Sequence, residues 1–179
     1  MKQRKCMNCA TPFTPDRMGQ KTCGPRCAYQ SVQVAKDKAF DAVTKKKKKE
    51  LKEQDRSYWI KFAQRTFNEY IRARDSGLPC ISCGVPDGKG KRNACHYRPA
   101  GVNTALRFSE LNVWGGCERC NTYKSGNIVG YRVGLIARIG IEAVDALDNN
   151  HDIKKWTIDE LKAIQAHYKS KLKELKCRG

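Results

Sequence analysis

Eight of the ten cysteines fall into four short pairs, Cys6-x-x-Cys9, Cys23-x-x-x-Cys27, Cys80-x-x-Cys83 and Cys117-x-x-Cys120. Each pair in a tight turn presents two thiolates to one ion, and two such turns close a tetrahedral shell. The chain is therefore expected to fold around two structural zinc ions. One would be held by Cys6, Cys9, Cys23 and Cys27, the other by Cys80, Cys83, Cys117 and Cys120; Cys95 and Cys177 are left over. Disulfides are the competing use of cysteine. The N-terminus MKQRKCMNCA has charge but no apolar core of a secretory signal, and no run of 18 apolar residues exists. A reducing cytoplasm is expected, where clustered cysteines serve as metal ligands.

Charge narrows the partners. The 179 residues carry 36 Lys+Arg against 18 Asp+Glu, a formal net charge of +18. Two zinc centres of four thiolates each, at about −2 apiece, leave roughly +14. Such an excess points to a polyanion, most commonly nucleic acid, with a solvated basic surface as the bland alternative. No membrane partner is indicated.

Composition divides the chain into three. Residues 1–30 are turn-rich and cysteine-bound, a zinc-ribbon-like module with too little apolar content to fold without metal. Residues 31–55 form a charged helical arm ending in Lys45, Lys46, Lys47, Lys48 and Lys49, which either touches phosphates or is a solvated linker. Tyr29, Val32, Ala35, Ala39, Phe40 and Val43 recur there at helix spacing. Residues 56–179 form the main domain. Its first helix shows Ile60, Ala63, Phe67, Tyr70 and Ile71 on one face and stops at Gly77 and Pro79. Its last helix starts at the capping box Thr157-x-x-Glu160 and shows Leu161, Ile164, Tyr168, Leu172 and Leu175.

Between these helices the order is cysteine knuckle, turn, strand ending near His96, loop, second strand at Leu111–Trp114, second knuckle, helix. With zinc pinning the knuckles, this is the layout of a ββα-metal nuclease site. Asn112 lies five residues before Cys117, and Asn121 directly follows Cys120. The triplet His96, Asn112 and Asn121 resembles that of the HNH (His-Me finger) endonucleases. Without that spacing, His96 reads equally as a base or a hydrogen-bonded core residue.

A narrower resemblance lies in the blocks RSYWIKFAQ, LPCISCG, HYR, LRF, CERCNTYKSGN, YRVGLIARIG, EAVD and KKWTIDELKAI. Over about residues 56–176 they are similar to the phage lambda NinG/Rap family of recombination endonucleases. The resemblance implies an α+β fold: a small zinc-stapled ββα-metal core of HNH-like, treble-clef type, flanked by α-helices, with the N-terminal zinc-ribbon-like module. It also implies a structure-specific endonuclease of bacteriophage origin, working in the host cytoplasm on branched DNA of Holliday junction or D-loop type. The alternative is a non-catalytic zinc-ribbon accessory protein that binds nucleic acid. On the nuclease reading His96 is the general base and Asn112 orients its loop. Asn121 holds catalytic magnesium (manganese is an alternative), since magnesium favours oxygen ligands and keeps its waters. Arg98, two residues along the strand, clamps phosphate from the same face. Lys124, one turn along the helix from Asn121, is either a second phosphate contact or a plain surface lysine. Cys95 stands where many such enzymes place a further metal ligand, and a thiol suits magnesium poorly. A homodimer would suit the paired strands of a four-way junction.

Overall fold

Two stretches of helix-period apolar residues, one near the middle and one at the end of the chain, organise most of the core. The computed structural model describes residues 2–88 and 90–178 and divides into two compact units, one ending at Gln54 and one beginning at Asp55.

In the first unit, β1 (Arg4–Lys5) pairs antiparallel with β2 (Pro12–Phe13), with Arg4 opposite Phe13. The turn between them is a cysteine knuckle: Ala10 donates to the Cys6 carbonyl at 2.9 Å and takes a left-handed φ of 60°. Then comes α1 (Pro25–Gln54), 30 residues long and without one buried residue. It is a single helix that begins on the knuckle itself, with Pro25 in its first turn, where a missing N–H costs nothing. Its length and its Ala, Lys, Gln and Glu content carry it past the marginal limit of about 12–15 residues for isolated helices. The module and arm of the sequence reading thus share one continuous element. Tyr29, Phe40 and Val43 are 67%, 71% and 67% exposed, so the apolar stripe is uncovered.

The second unit starts with α2 (Arg56–Arg74), where Asp55 caps the helix by accepting from the Ser57 N–H at 2.7 Å. Ala63, Phe67, Tyr70 and Ile71 pack against Leu161 and Tyr168 of α5 (Ile158–Arg178) and against Phe108 and Val113. The Phe67 and Tyr168 rings meet edge to face at 4.7 Å. Each such buried side chain contributes about 1.5–3 kcal/mol. The Thr157–Glu160 box forms as its residue types require: Thr157 N–H donates to the Glu160 carboxylate at 2.8 Å, and Glu160 N–H to the Thr157 hydroxyl at 3.2 Å.

β3 (Arg92–His96) and β4 (Val113–Cys117) form an antiparallel ribbon with His96 opposite Val113 and Arg92 opposite Cys117. β4 lies later than the expected Leu111–Trp114 and runs directly into the second knuckle. Gly115 and Gly116 weaken its strand pattern in sequence, but both are needed for space. A Cβ on Gly116 would meet the Cys95 sulfur, and one on Gly115 would come within 3.1 Å of the Asp75 Cβ, whose carboxylate accepts the Gly115 N–H at 2.7 Å. β3 ends at His96, so Arg98 is not on a strand, and the same-face argument for it fails. The loop between the strands holds a 3-10 helix, Thr104–Phe108.

After the second knuckle the expected α-helix opened by Asn121 is replaced by one wide π-helical turn, Arg119–Tyr123. Ser125 and Asn127 then take left-handed φ of 48°, which breaks the helix before α3 (Ile128–Ile139) begins. α4 (Ile141–Asp148) follows. Tyr131 and Leu135 of α3 and Val144 and Leu147 of α4 bury against Ile81, Cys95 and Tyr97. Gly130 and Gly134, one helical turn apart, let α3 lie directly on the first knuckle: a Cβ at either would collide with the carbonyl of Ser82 or Ile81.

Gly134→Ala should therefore destabilise the protein by roughly 1–3 kcal/mol, the usual cost of overpacking. Gly101→Ala, where an added Cβ meets nothing within 4 Å, should leave the urea midpoint nearly unchanged. Equal midpoints for the two variants would contradict the close approach of α3.

Candidate metal centres and the His96 site

The four-sulfur sets form as the spacing implies. In each set, Cys6, Cys9, Cys23 and Cys27 or Cys80, Cys83, Cys117 and Cys120, all ligand atoms lie within 4.8 Å of one another. A tetrahedral zinc with Zn–S near 2.3 Å needs sulfurs about 3.8 Å apart. Cys9 and Cys23 sulfurs are 3.6 Å apart, Cys23 and Cys27 3.6 Å, and Cys83 and Cys117 3.8 Å. Both clusters could hold a zinc ion.

Backbone groups already aim at the sulfurs. Cys23 N–H points at Cys6 Sγ (3.4 Å), and Cys117 N–H at Cys80 Sγ (3.3 Å). The N–H of Cys9, against burial and with help from Cys23 and Asn8, lowers the Cys6 thiol to about 6. Burial raises Cys80, but the N–H groups of Cys117, Ser82 and Cys83 bring it down to about 7. Their neighbours move the other way: Cys23 is pushed to about 12 by Cys27 and then Cys9, and Cys120 to about 12 by burial and then Cys83. Without metal the sulfurs of a set share hydrogens among themselves; an ion binds all four as thiolates and releases the protons.

Cys95 belongs to neither set. It is 2% exposed among apolar side chains, and burial pushes its thiol up to about 12, so it is a neutral core residue.

His96 sits at the end of β3 with its ring against the 3-10 helix: Nε2 lies 3.0 Å from the Arg107 carbonyl oxygen. A carbonyl only accepts, so Nε2 carries the hydrogen and Nδ1 of the neutral ring carries the lone pair. Among the described residues Nδ1 has no hydrogen-bond partner. Burial pulls the His96 pKa below its ordinary 6.5; the Arg107 carbonyl opposes this, and the Arg107 guanidinium adds to it.

Asn112 is fully buried just before β4 and spends its whole side chain on the loop that follows His96. Its Oδ1 accepts from the Arg98 N–H at 2.8 Å, and its Nδ2 donates to the carbonyls of Arg98 (3.0 Å) and Leu106 (3.1 Å). Its own carbonyl accepts from Tyr97 N–H at 2.9 Å. Asn112 and the backbone of Tyr97, Arg98 and Leu106 are thus one hydrogen-bonded unit next to His96 in the chain. The Arg98 Nε is buried without a hydrogen-bond partner. Asn121 and Lys124 are exposed on and just after the Arg119–Tyr123 turn. Among the described residues no hydrogen bond or ion pair joins either of them to His96, Asn112 or Arg98. Lys45–Lys49 are exposed on α1, in the first unit.

Several working residues carry no local signal in the sequence. Asn127 donates to the Ser82 carbonyl at 3.0 Å and faces Cys120 Sγ at 3.8 Å, joining α3 to both knuckles. Asp87 accepts from Arg92, Gly77 and Gly88, and the Arg92 guanidinium leads in lowering its pKa to about 2. Arg107 holds His96 through its carbonyl and donates its Nη2 to the Ala100 carbonyl at 2.8 Å. Asn127, inside CERCNTYKSGN, and Arg107, inside LRF, lie in blocks that carry the family resemblance; Asp87 does not.

These features define a small α+β protein with two minor sheets and two four-cysteine clusters able to hold metal. The chain belongs to the NinG family: the family model described as "Bacteriophage Lambda NinG protein" matches residues 1–178. The protein is 43% identical over 192 residues to "Protein ninG" of Escherichia phage lambda, covering 97% of this chain and 94% of that one. It is 42% identical to "Protein ninG" of Escherichia phage 933W and of Salmonella phage P22, with the same shares covered. No solved structure matches the chain. No helix among the described residues is long and apolar enough to cross a membrane.

Elemental analysis of protein purified without chelator should return two zinc ions per chain, and one or fewer would reject the two-cluster scheme. Cys9→Ser/Cys23→Ser should drop the count to one and leave tryptophan fluorescence unchanged, because Trp59, Trp114 and Trp156 all lie in the second unit. Asn112→Ala leaves the Arg98 N–H and carbonyl unpaired and takes one of two bonds from the Leu106 carbonyl, and should cost about 2 kcal/mol or more. A urea midpoint close to that of the parent would show that the loop is held by something else.

Proposed function

We propose that the protein is a metal-dependent endonuclease of His-Me finger type that cuts branched DNA, with His96 as its general base. The observation that carries this reading is the Nε2–H···Arg107 carbonyl contact, which fixes one tautomer and leaves Nδ1 as the proton acceptor. Family membership adds that the relatives are phage proteins, while their names state no activity.

Neutral His96 takes the proton from the attacking water at Nδ1, and its lowered pKa keeps it neutral at working pH. Asn112 fixes the loop on which His96 depends. The Arg98 guanidinium, on a half-buried side chain in the loop after His96, would clamp a non-bridging phosphate oxygen. Among the described residues no third cluster of His, Cys, Asp or Glu exists beyond the two cysteine sets, so a catalytic ion would have few protein ligands. That donor poverty suits magnesium or manganese held at the Asn121 amide and completed by phosphate and water. The ion would supply Lewis-acid stabilisation of the leaving oxygen. The zinc ions are structural. Lys124 and Lys45–Lys49 add phosphate contacts that carry no base preference. A homodimer acting in the host cytoplasm would place one active site at each of two strands of a four-way junction.

His96→Ala should keep two zinc ions and junction affinity while cleavage falls by roughly 10² to 10⁴-fold. In the parent, the acid limb of the rate profile should have its midpoint below pH 6.5, because loss of activity follows protonation of a depressed histidine. A His96→Ala protein that cuts a labelled four-way junction at near-normal rate ends this assignment. A parent that binds the junction but never cuts it with magnesium or manganese is instead a zinc-stapled accessory binder.

A further inference from the structure

The two faces of α2 are unlike. One is core. On the other, Lys61, Arg65, Asn68 and Arg72 follow at steps of four, three and four residues, which holds them in one stripe. With Gln64 and with Arg107 from the 3-10 helix they line a cleft of about 340 Å³. Its polar lining is four cations and two amides, with no carboxylate among the described residues.

Elsewhere in this unit several cations that the fold uses are neutralised. Arg74 meets Asp75 at 2.7 Å, Arg92 meets Asp87 at 2.8 Å, Arg132 meets Asp145 at 2.9 Å and Lys171 meets Glu110 at 2.6 Å. Among the described residues, none of Lys61, Arg65, Arg72 or Arg107 has a carboxylate within ion-pair distance. Arg107 is also partly buried, with Arg56 as a further positive neighbour. Four like charges gathered in one cleft raise its positive potential, which a bound anion would relieve.

The shape selects which anion. Lys61 to Arg72 spans about 16 Å of helix axis at 1.5 Å per residue. One DNA strand advances about 3.4 Å of duplex axis per phosphate, so the stripe is long enough for several successive phosphates rather than one small anion. Amide side chains among the cations can donate to phosphate or sugar oxygens without reading sequence. Arg107 joins the cleft to the chemistry, because its carbonyl holds His96 Nε2.

We infer that the α2 cleft is a phosphodiester-backbone site that seats one strand of bound DNA beside His96. The inference rests on the nucleic-acid reading above. It assigns the main strand contact to α2, where neither the lysine run of α1 nor Lys124 is involved.

The test uses the full-length, zinc-loaded protein and a fluorescent four-way DNA junction, with binding followed by anisotropy across a salt series. Lys61→Ala/Arg65→Ala/Arg72→Ala removes three exposed cations and introduces the best helix former. Lys155→Ala/Lys169→Ala/Lys173→Ala removes the same charge from exposed positions elsewhere. The α2 triple should lose at least about tenfold in affinity at 0.1 M salt, and its slope of log affinity against log salt should flatten by about 2–3. The control triple should keep the parental slope. Glutamine in place of each alanine should reproduce the α2 result, with thermal unfolding unchanged. Parental binding by the α2 triple, or an equal loss in both triples, overturns the cleft while leaving the nucleic-acid reading intact. A parent protein that binds no DNA at low salt overturns both.

Discussion

The four sulfurs of Cys80, Cys83, Cys117 and Cys120 are the constraint on which the second unit depends. Its sheet is one two-stranded ribbon, which is marginal in water on its own. The cluster ties the ribbon at the Cys117 end of β4 to a knuckle that starts 37 residues earlier. From there the backbone follows: Ile81 N–H donates to the Gly115 carbonyl at 3.1 Å, and Glu118 N–H to the Lys91 carbonyl at 3.1 Å. α3 lies on the same knuckle through Gly130 and Gly134. An ion binding those sulfurs would supply fixation that a larger apolar core supplies elsewhere. It would act at the far end of the ribbon from His96, by setting the register that puts His96 opposite Val113.

Asn112 does for the open end of the ribbon what the sulfurs do for the closed end. A buried amide has two donors and an acceptor with two lone pairs, and here it satisfies three backbone groups of the crossing loop. An aliphatic residue of equal volume would strand the Arg98 N–H and carbonyl without partners. Asp75 is its counterpart between α2 and β4: it accepts from Gly115 and pairs with Arg74, whose guanidinium stacks 4.3 Å over the Trp114 ring and donates to the Val113 carbonyl. Polar groups, each paired, thus hold the ribbon between the two helical layers.

The α+β character, the two cysteine clusters, and the core faces of α2 and α5 were legible because spacing of sulfur and apolar residues is a local signal. What the sequence hid depends on distant partners or on missing side chains. Gly115 and Gly116 concealed the true span of β4, since strand propensity cannot see the Cys95 sulfur that excludes a Cβ. Left-handed Ser125 and Asn127 interrupted the helix expected at Asn121, because Asn127 turns back to bind Ser82. Arg98 was placed on a strand that stops two residues short, where the Asn112 amide takes over pairing from the ladder. The α2 cleft went unread for a different reason. Its polar stripe looks like any solvated helix face until its cations are seen to have no ion pair among the described residues.

Carboxylates explain the charge pattern as a whole. Asp75, Asp87, Glu110 and Glu160 are all spent on backbone N–H groups or on structural cations. The lysines and arginines left over therefore set the surface potential. Arg107 lies where this excess meets His96 and acts on it in opposing senses: its carbonyl favours a hydrogen on Nε2, and its guanidinium disfavours the doubly protonated ring. Burial decides the balance toward the neutral form. An unfolded chain would take up that proton near pH 6.5 while the folded one still refuses it, so His96 contributes stability above that pH and loses it progressively below. Phosphate seated against Arg107 would offset the guanidinium charge and let the His96 pKa rise toward its ordinary value. On the proposed nuclease reading, a strand in the cleft would then make the ring a stronger proton acceptor when DNA is bound.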